Sequence, residues 1–193
     1  MDYCVGLENR SPRKGAGGSN PSLSALIINY LKDVCCIMEF KKFDGVKVDL
    51  IPYVEGYCRE HNNIFVMVST DSQSHGGKTY FATVVALYDE GDGTHGHGAH
   101  VIYRKWYTRR YKKSEIFDRM MAETTASLEV ARFMRESGIN VGCIDIDINP
   151  EENAGSHTAF DTAKGWIESE GFECRWKTLC PLSTTMADFK ARR

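Results

Sequence analysis

Acidic side chains stand at several points of the sequence where the hydrophobic pattern predicts burial or the end of a strand. Asp71 follows the apolar run Ile64–Ser69, which is typical of a buried central strand. Asp145 and Asp147 alternate with isoleucines in the segment Val141–Ile148, so both carboxylates share one face of a predicted strand. A half-buried strand whose acids simply face water would show the same alternation, and this segment alone leaves both interpretations open.

Glu123 lies inside the apolar arc of a predicted helix. With Met120 set to 0° and about 100° per residue, Glu123 falls at about −60°, whereas Asp118 and Glu129 fall on the opposite side. A carboxylate that faces a core is costly unless it is paired, hydrogen-bonded or bound to a cation. A salt bridge at the edge of the arc is the alternative. Asp188, on a predicted C-terminal helix, is a fourth candidate.

These four candidates, Asp71, Glu123, Asp147 and Asp188, would repel one another if they converged without cations. Ligation by carboxylate oxygen alone suits Mg²⁺ or Mn²⁺ rather than Zn²⁺. Two such ions about 4 Å apart can activate a water and stabilise the leaving oxygen of a phosphodiester. The pattern therefore predicts a two-ion hydrolytic site that needs no His or Cys.

The elements that must position these residues alternate in type along the chain. The predicted strands are Ile64–Ser69, Thr79–Tyr88, Val101–Thr108, Val141–Ile148 and Phe172–Lys177. The predicted helices are 49–60, Ser114–Glu136 with Ser114 as its cap, His157–Glu170 and Met186–Arg193. A meander of three strands followed by alternating helices and strands predicts an α/β fold with a mixed sheet covered by helices.

A basic and aromatic segment directly precedes the helix that carries Glu123. It contains Arg104, Lys105, Trp106, Arg109, Arg110, Lys112 and Lys113. Basic side chains neutralise phosphates and aromatic rings stack on exposed bases, so these residues are the predicted nucleic-acid contacts. The alternative is a solvated edge strand that Lys and Arg protect from aggregation.

Several short motifs follow one another in a fixed order from about Phe40 to Asp188. They are Ser69-Thr70-Asp71-Ser72-Gln73, Arg119-Met120-Met121-Ala122-Glu123-Thr124 with Ser127-Leu128, Asp147-Ile148-Asn149, Gly165-Trp166 with Gly171-Phe172, Lys177 and Ala187-Asp188. Their order and spacing resemble the ribonuclease H-like superfamily, and most closely its YkuK-like family of predicted nucleases. The segment Thr178–Pro181 departs from the family's usual Lys-Pro continuation, and the loop around His95-Gly96-His97 is a local elaboration.

The resemblance implies a five-stranded mixed sheet whose second strand is antiparallel, with helices on both faces. It also implies that Asp71, Glu123, Asp147 and Asp188 occupy the superfamily's metal-binding acidic positions, with Asp145 as an auxiliary ligand. Ser72, Gln73 and Asn149 are expected to hydrogen-bond around these carboxylates.

Two functions follow as expectations. The first is a metal-dependent nuclease that hydrolyses RNA or DNA with two Mg²⁺ or Mn²⁺ ions. The second is a non-catalytic ribonuclease H-like module that binds nucleic acid or a protein partner and whose acids serve only structure. Another feature, His95, His97 and His100 in a Gly-rich loop, has the spacing of a transition-metal site but is more typical of a flexible surface loop.

Composition sets the broader limits. The net charge of −2, from 24 Lys and Arg against 26 Asp and Glu, excludes a uniformly basic nucleic-acid coat. The seven cysteines have no metal or disulfide spacing and no secretory signal opens the chain, so a cytoplasmic location is expected. Residues 1–37 are expected to be an extension of the domain at 38–193. They form either a flexible tether or mistranslated upstream DNA, since Gly18-Ser19-Asn20-Pro21 translates a common transfer-RNA T-arm sequence.

Overall fold

The computed structural model describes residues 39–90, 98–148, 157–176 and 181–192. The expected N-terminal extension 1–37, His95, His97 and Asn149 lie outside these ranges. The strands within them are β1 Glu39–Lys42, β2 Lys47–Asp49, β3 Ile64–His75, β4 Lys78–Asp89, β5 Gly98–Arg109, β6 Cys143–Ile146 and β7 Glu173–Trp176. The helices are α1 Leu50–Glu60, α2 Ile116–Glu136, α3 His157–Ser169 and α4 Pro181–Arg192.

The described strands form one mixed sheet in the order β2-β1-β5-β4-β3-β6-β7. The five expected strands are β3 to β7, and β4, the second of them, runs antiparallel to both of its neighbours as expected. β6 and β7 add in parallel on the other side of β3. The expectation of five strands is wrong, because the described sheet contains seven.

The two additional strands form a hairpin, β1 and β2, that pairs with β5 at Tyr103 and Ile102. The mixed composition of β5 predicted an edge strand. This is wrong for the part of β5 that pairs with β1, and only the later part of β5 has no neighbouring strand on that side among the described residues. The hairpin was missed because its strands are three and four residues long and Phe40 is their only fully buried side chain.

The hairpin between β3 and β4 depends on two glycines. The ladder runs without interruption to the pair His75–Lys78, which leaves only Gly76 and Gly77 in the turn. Both have positive φ, 56° and 79°, as a two-residue type I′ turn requires. This tight turn fixes the register, so that the strand carrying Asp71 has each side chain on a defined face.

Helices cover both faces of the sheet. On one face, Ser127 of α2 donates a hydrogen bond of 2.8 Å to the Thr70 hydroxyl of β3. On the other face, Ala187 of α4 packs with Met67 of β3 and Val84 of β4. α3 packs beside α2 and against β7. Side chains alternate along β3, so neighbouring residues of this one strand reach α2 and α4 in turn.

Two helix starts differ from expectation. Ser114 does not cap the long helix, because Lys113–Glu115 form a 3₁₀ turn that precedes α2. α4 begins at Pro181 rather than Met186. Proline suits the first helical turn, where its missing N–H costs nothing, but the polar run Ser183-Thr184-Thr185 gives no apolar periodicity before Met186. No helix in the described ranges combines the length and apolar character needed to cross a lipid bilayer.

Candidate functional site

Asp71 and Asp147 lie where β6 ends beside β3. Ser69 of β3 pairs with Asp145 of β6 in parallel register, and β6 ends one residue later while β3 continues. Asp71 and Asp147 each follow this pair by two residues. In open α/β sheets, ligands bind in the crevice at the carboxyl ends of such strands, where flanking helices lie on opposite faces.

Ser72 connects the Asp71 and Glu123 carboxylates. Its backbone N–H donates to Asp71 Oδ1 at 2.7 Å, and its hydroxyl donates to Glu123 Oε1 at 2.5 Å. Asp71 and Ser72 are consecutive on β3, so their side chains leave the strand on opposite faces. Glu123 belongs to α2, which packs on the face of β3 to which the Ser72 side chain points. The Glu123 and Asp71 carboxylates therefore lie on opposite faces of β3.

The Asp71 carboxyl is held in an environment that favours its protonated form. It is 7% exposed. Burial, together with the negative charges of Asp147 and Asp188, raises the pKa of Asp71 to about 7, against the opposing effect of the Ser72 N–H. The neighbouring Asp188 side chain also favours a proton on Asp71, which raises the pKa further.

Glu123 is buried as its position in the helical arc predicted, with 7% of its surface exposed. Burial, followed by the charge of Asp71, raises the pKa of Glu123 to about 8. The Ser72 hydroxyl and the Arg119 guanidinium, 3.9 Å from Oε1, lower it in part. The salt bridge that was the alternative for Glu123 is present as the contact with Arg119, but it accompanies burial of the carboxyl rather than replacing it.

Asp188 reaches the same region from α4. Gln73 Nε2 donates to Asp188 Oδ1 at 3.0 Å, and Arg192 Nε donates to the same oxygen at 2.7 Å. Sequence reasoning missed both arginines of the site, Arg119 and Arg192. Each lies four residues from its carboxylate on a helix, and that spacing was a usable signal.

Asp145, the predicted auxiliary ligand, is 1% exposed inside β6. Its Oδ1 accepts a weak hydrogen bond from Cys143 Sγ at 3.4 Å. It lies level with Ser69, two residues short of Asp147 along the strand direction. The two aspartates of this segment therefore differ, since Asp147 is only half-buried and lies past the end of β6.

The donor chemistry of this acidic cluster, defined as Asp71, Glu123, Asp147 and Asp188, fits a hard divalent cation. Asp71 Oδ2 is buried and has no hydrogen-bond partner among the described residues. An unpaired buried carboxylate oxygen among further carboxylates is the arrangement that Mg²⁺ or Mn²⁺ satisfies. The described residues contain no group of three His, Cys, Asp or Glu side chains already arranged to hold one ion.

The predicted nucleic-acid contacts divide between different surfaces. Arg104 and Trp106 point toward α2 and line a groove. Lys105 also borders this groove but is largely exposed, and partial desolvation together with the charge of Lys190 on α4 lowers its pKa. Arg109 is exposed but forms two hydrogen bonds of 2.9 and 3.0 Å with Glu115. The side chain of Lys113 lies outside the described part of the structure.

Arg110 and Lys112 line a second depression, which we call the basic cleft. Its lining residues are Ser74, Arg110, Tyr111, Lys112, Ile116 and Arg119. Arg119 links this cleft to the acidic cluster through Glu123. The basic segment thus lies near the carboxylates, as its position before α2 suggested. Of the predicted contacts that the structure describes, however, only Arg110 and Lys112 line this cleft.

His100 is the one histidine of the predicted loop that lies in the described ranges, at the start of β5. Its Nε2 is 2.7 Å from the Tyr53 hydroxyl, and its ring stacks on Tyr57 at 5.0 Å between centroids. Burial, followed by the charge of Lys42, lowers the pKa of His100. This histidine is therefore engaged in packing against α1.

Comparison with known proteins agrees with the fold. No curated protein matches the chain. A family model described as Ribonuclease H-like matches residues 49–192 of the 193, a range that includes all four carboxylates of the acidic cluster. With the mixed sheet, the antiparallel second strand of the expected five and the helices on both faces, this match shows that the chain belongs to the ribonuclease H-like family.

Proposed function

We propose that this protein is a metal-dependent nuclease that hydrolyses phosphodiester bonds of RNA or DNA at the acidic cluster. The observation that carries the proposal is the Asp71 carboxylate, which is buried, has one oxygen without a donor and lies among three further carboxylates. A purely structural buried acid would be expected to have its hydrogen bonds satisfied. The motif order further supports placing the chain in the YkuK-like branch of the family.

Asp71, Glu123, Asp147 and Asp188 would hold two divalent ions, Mg²⁺ or Mn²⁺. Such ions, when bound, activate a water for attack and neutralise charge on the leaving oxygen of the phosphodiester. The chain's own contribution begins with Ser72, which positions Asp71 and Glu123 relative to each other through two hydrogen bonds. Gln73 and Arg192 hold Asp188 in the same way from the opposite face.

Proton release would accompany loading of the site. Since the pKa of Asp71 is about 7 and that of Glu123 about 8, both carboxyls hold protons for part of the time at neutral pH. A cation competes with these protons, so ligation is favoured as the pH rises.

The substrate backbone would run along the basic cleft. Arg110 and Lys112 are exposed there, and Arg119 lies between this cleft and Glu123. Cations at this place neutralise phosphates next to the reacting bond, and such contacts supply affinity without sequence preference.

A non-catalytic ribonuclease H-like module is the second candidate, and one observation favours it. Among the described residues the acids are engaged with protein partners rather than grouped as ligands: Glu123 with Ser72, and Asp188 with Gln73. In that case the carboxylates would serve only the packing of α2 and α4 on β3.

A cleavage panel separates the two. Wild-type protein, Asp71→Asn and the control Asp118→Asn, whose carboxylate is exposed on the first turn of α2, are incubated with Mn²⁺ and with hybrid, duplex and single-stranded RNA and DNA. The nuclease proposal expects cleavage of at least one substrate by wild type and Asp118→Asn, and loss of at least about 100-fold in Asp71→Asn. No cleavage by wild type, or equal cleavage by Asp71→Asn, would leave the non-catalytic module as the better account.

A further inference from the structure

A groove of about 800 Å³ lies between the open part of β5 and helix α2. Its aromatic wall is formed by Phe81, Trp106 and Tyr111, and α2 contributes the small side chains of Ala122 and Ala126. We call this the aromatic groove. Its volume falls in the range of pockets that hold small organic groups, about 300–1,000 Å³.

Arg104 gives the aromatic groove a polar recognition element. Its side chain is 14% exposed, and its Nε is buried without a hydrogen-bond partner among the described residues. Its ion pair with Glu129 measures 3.8 Å, too long for a hydrogen bond. The guanidinium lies 5.1 Å from the centre of the Trp106 ring. The planar Arg104 guanidinium therefore lies beside aromatic rings and has at least one N–H donor without a hydrogen-bond partner in the described part of the chain.

A nucleobase matches this combination. Every base has a flat π surface that stacks on aromatic side chains, and guanine in particular presents two acceptors that suit an arginine. The small residues of α2 leave room for a planar group against the wall. An aliphatic ligand would leave the Arg104 donors without a partner, and a purely ionic ligand would not stack on the aromatic rings.

The aromatic groove adjoins the basic cleft, because Tyr111 lines both. Arg119, which also lines the cleft, lies 3.9 Å from the Glu123 carboxylate. A base held in the groove would thus have its phosphates beside Arg110 and Lys112, on the way to the carboxylates.

We propose that the aromatic groove binds an unpaired base, so that the substrate is a single-stranded nucleic acid; this assignment rests on the proposed nuclease function. A base inside a duplex is stacked on both sides and has its pairing edge occupied, so it cannot enter a groove between a strand and a helix without being extruded. An unpaired strand enters without that cost. The groove thereby selects the substrate class that the basic cleft, which reads only phosphates, cannot select.

The test is a binding measurement without metal. Fluorescence anisotropy in EDTA compares a labelled oligoribonucleotide of mixed sequence, about 12 nucleotides long, with the same strand in a duplex. The variants are Trp106→Leu, which removes the stacking surface, and Ala122→Leu, which fills the groove from α2 and keeps a good helix former. Trp166→Leu, on a half-buried tryptophan of α3 outside the groove, is the matched control.

We expect wild type and Trp166→Leu to bind the single strand more tightly than the duplex. Trp106→Leu and Ala122→Leu should each lose roughly tenfold in affinity for the single strand and keep wild-type affinity for the duplex. Wild-type affinity of Ala122→Leu for the single strand, or a preference of wild type for duplex, would overturn the inference. Groove-dependent binding without any metal-dependent cleavage would support the inference and contradict the proposed nuclease function.

Discussion

The Ser72 hydroxyl donates a 2.5 Å hydrogen bond to Glu123 Oε1 across 51 positions of sequence, and this contact fixes α2 to β3 at the acidic cluster. Because the Ser72 N–H also bonds to Asp71, one residue sets the relative position of two carboxylates. Ser72 is therefore a positioning residue.

Replacing Ser72 by alanine should raise the pKa of Glu123 further, because the hydroxyl bond lowers it. The pH dependence of Mn²⁺-dependent cleavage should shift to higher pH, and the free energy of unfolding should fall by about 1–3 kcal/mol because a buried acceptor loses its donor. Rate profiles between pH 6 and 9 and thermal melts measure the two effects.

Ser127→Ala is the matched control for that variant. The Ser127 hydroxyl also joins α2 to β3, since it donates to the Thr70 hydroxyl at 2.8 Å, with no carboxylate involved. It should lose stability without a shift in the rate profile. Superimposable rate profiles of Ser72→Ala and wild type would show that the Ser72 hydroxyl does not position Glu123.

The stability of the metal-free protein should depend on the protonation of Asp71 and Glu123. Their pKa values in the folded state, about 7 and about 8, lie above the ordinary values of 3.8 and 4.5, so the folded protein binds more protons than the unfolded chain between these limits. The stabilisation is fully present below about pH 4 and is lost as the pH rises through about 8.

Thermal melts in EDTA at pH 5 and pH 8 measure this effect. Asp71→Asn should lose less stability than wild type between the two pH values and be the more stable protein at pH 8, because it removes a buried charge. Asp118→Asn, on an exposed carboxylate, should follow wild type. A wild-type slope in Asp71→Asn would mean that Asp71 is ionised in the folded protein throughout this range.

The exposed cations before α2 should differ in their effect on nucleic-acid binding. The two hydrogen bonds between Arg109 and Glu115 already neutralise Arg109, so Arg109→Ala should change affinity less than about threefold. Arg110→Ala and Lys112→Ala should weaken binding and reduce the salt dependence by about one unit each. Glu115→Gln should tighten binding by releasing Arg109. Anisotropy titrations at several salt concentrations check this order, and an Arg109→Ala defect as large as that of Arg110→Ala would contradict it.

Much of the fold could be predicted because its central elements carry strong patterns. The apolar run of β3, the glycine turn at Gly76-Gly77 and the long periodic helix around Glu123 each specify their structure locally. The helical arc also predicted that Glu123 is buried. The β1–β2 hairpin was beyond reach because strands of three and four residues with one buried side chain leave no periodicity.

The hydrogen bonds of the site were harder to predict from the sequence. Bonds such as Ser72 to Glu123 and Gln73 to Asp188 join residues 51 and 115 positions apart, and only the packing of α2 and α4 on opposite faces of β3 creates them. The partial burial of Arg104 follows from strand alternation and was available in principle. The neutralisation of Arg109 by Glu115 depends on the 3₁₀ turn before α2. The sequence predicted a helix capped at Ser114 in place of this turn.

The most direct test of the central claim, that the acidic cluster is a divalent-metal site, is calorimetric titration of Mn²⁺ into the protein at pH 8. Wild type and Asp118→Asn should bind Mn²⁺ with release of protons, and Asp71→Asn should lose binding at one or both sites. Absence of Mn²⁺ binding by folded wild-type protein, or equal binding by wild type and Asp71→Asn, would contradict the account.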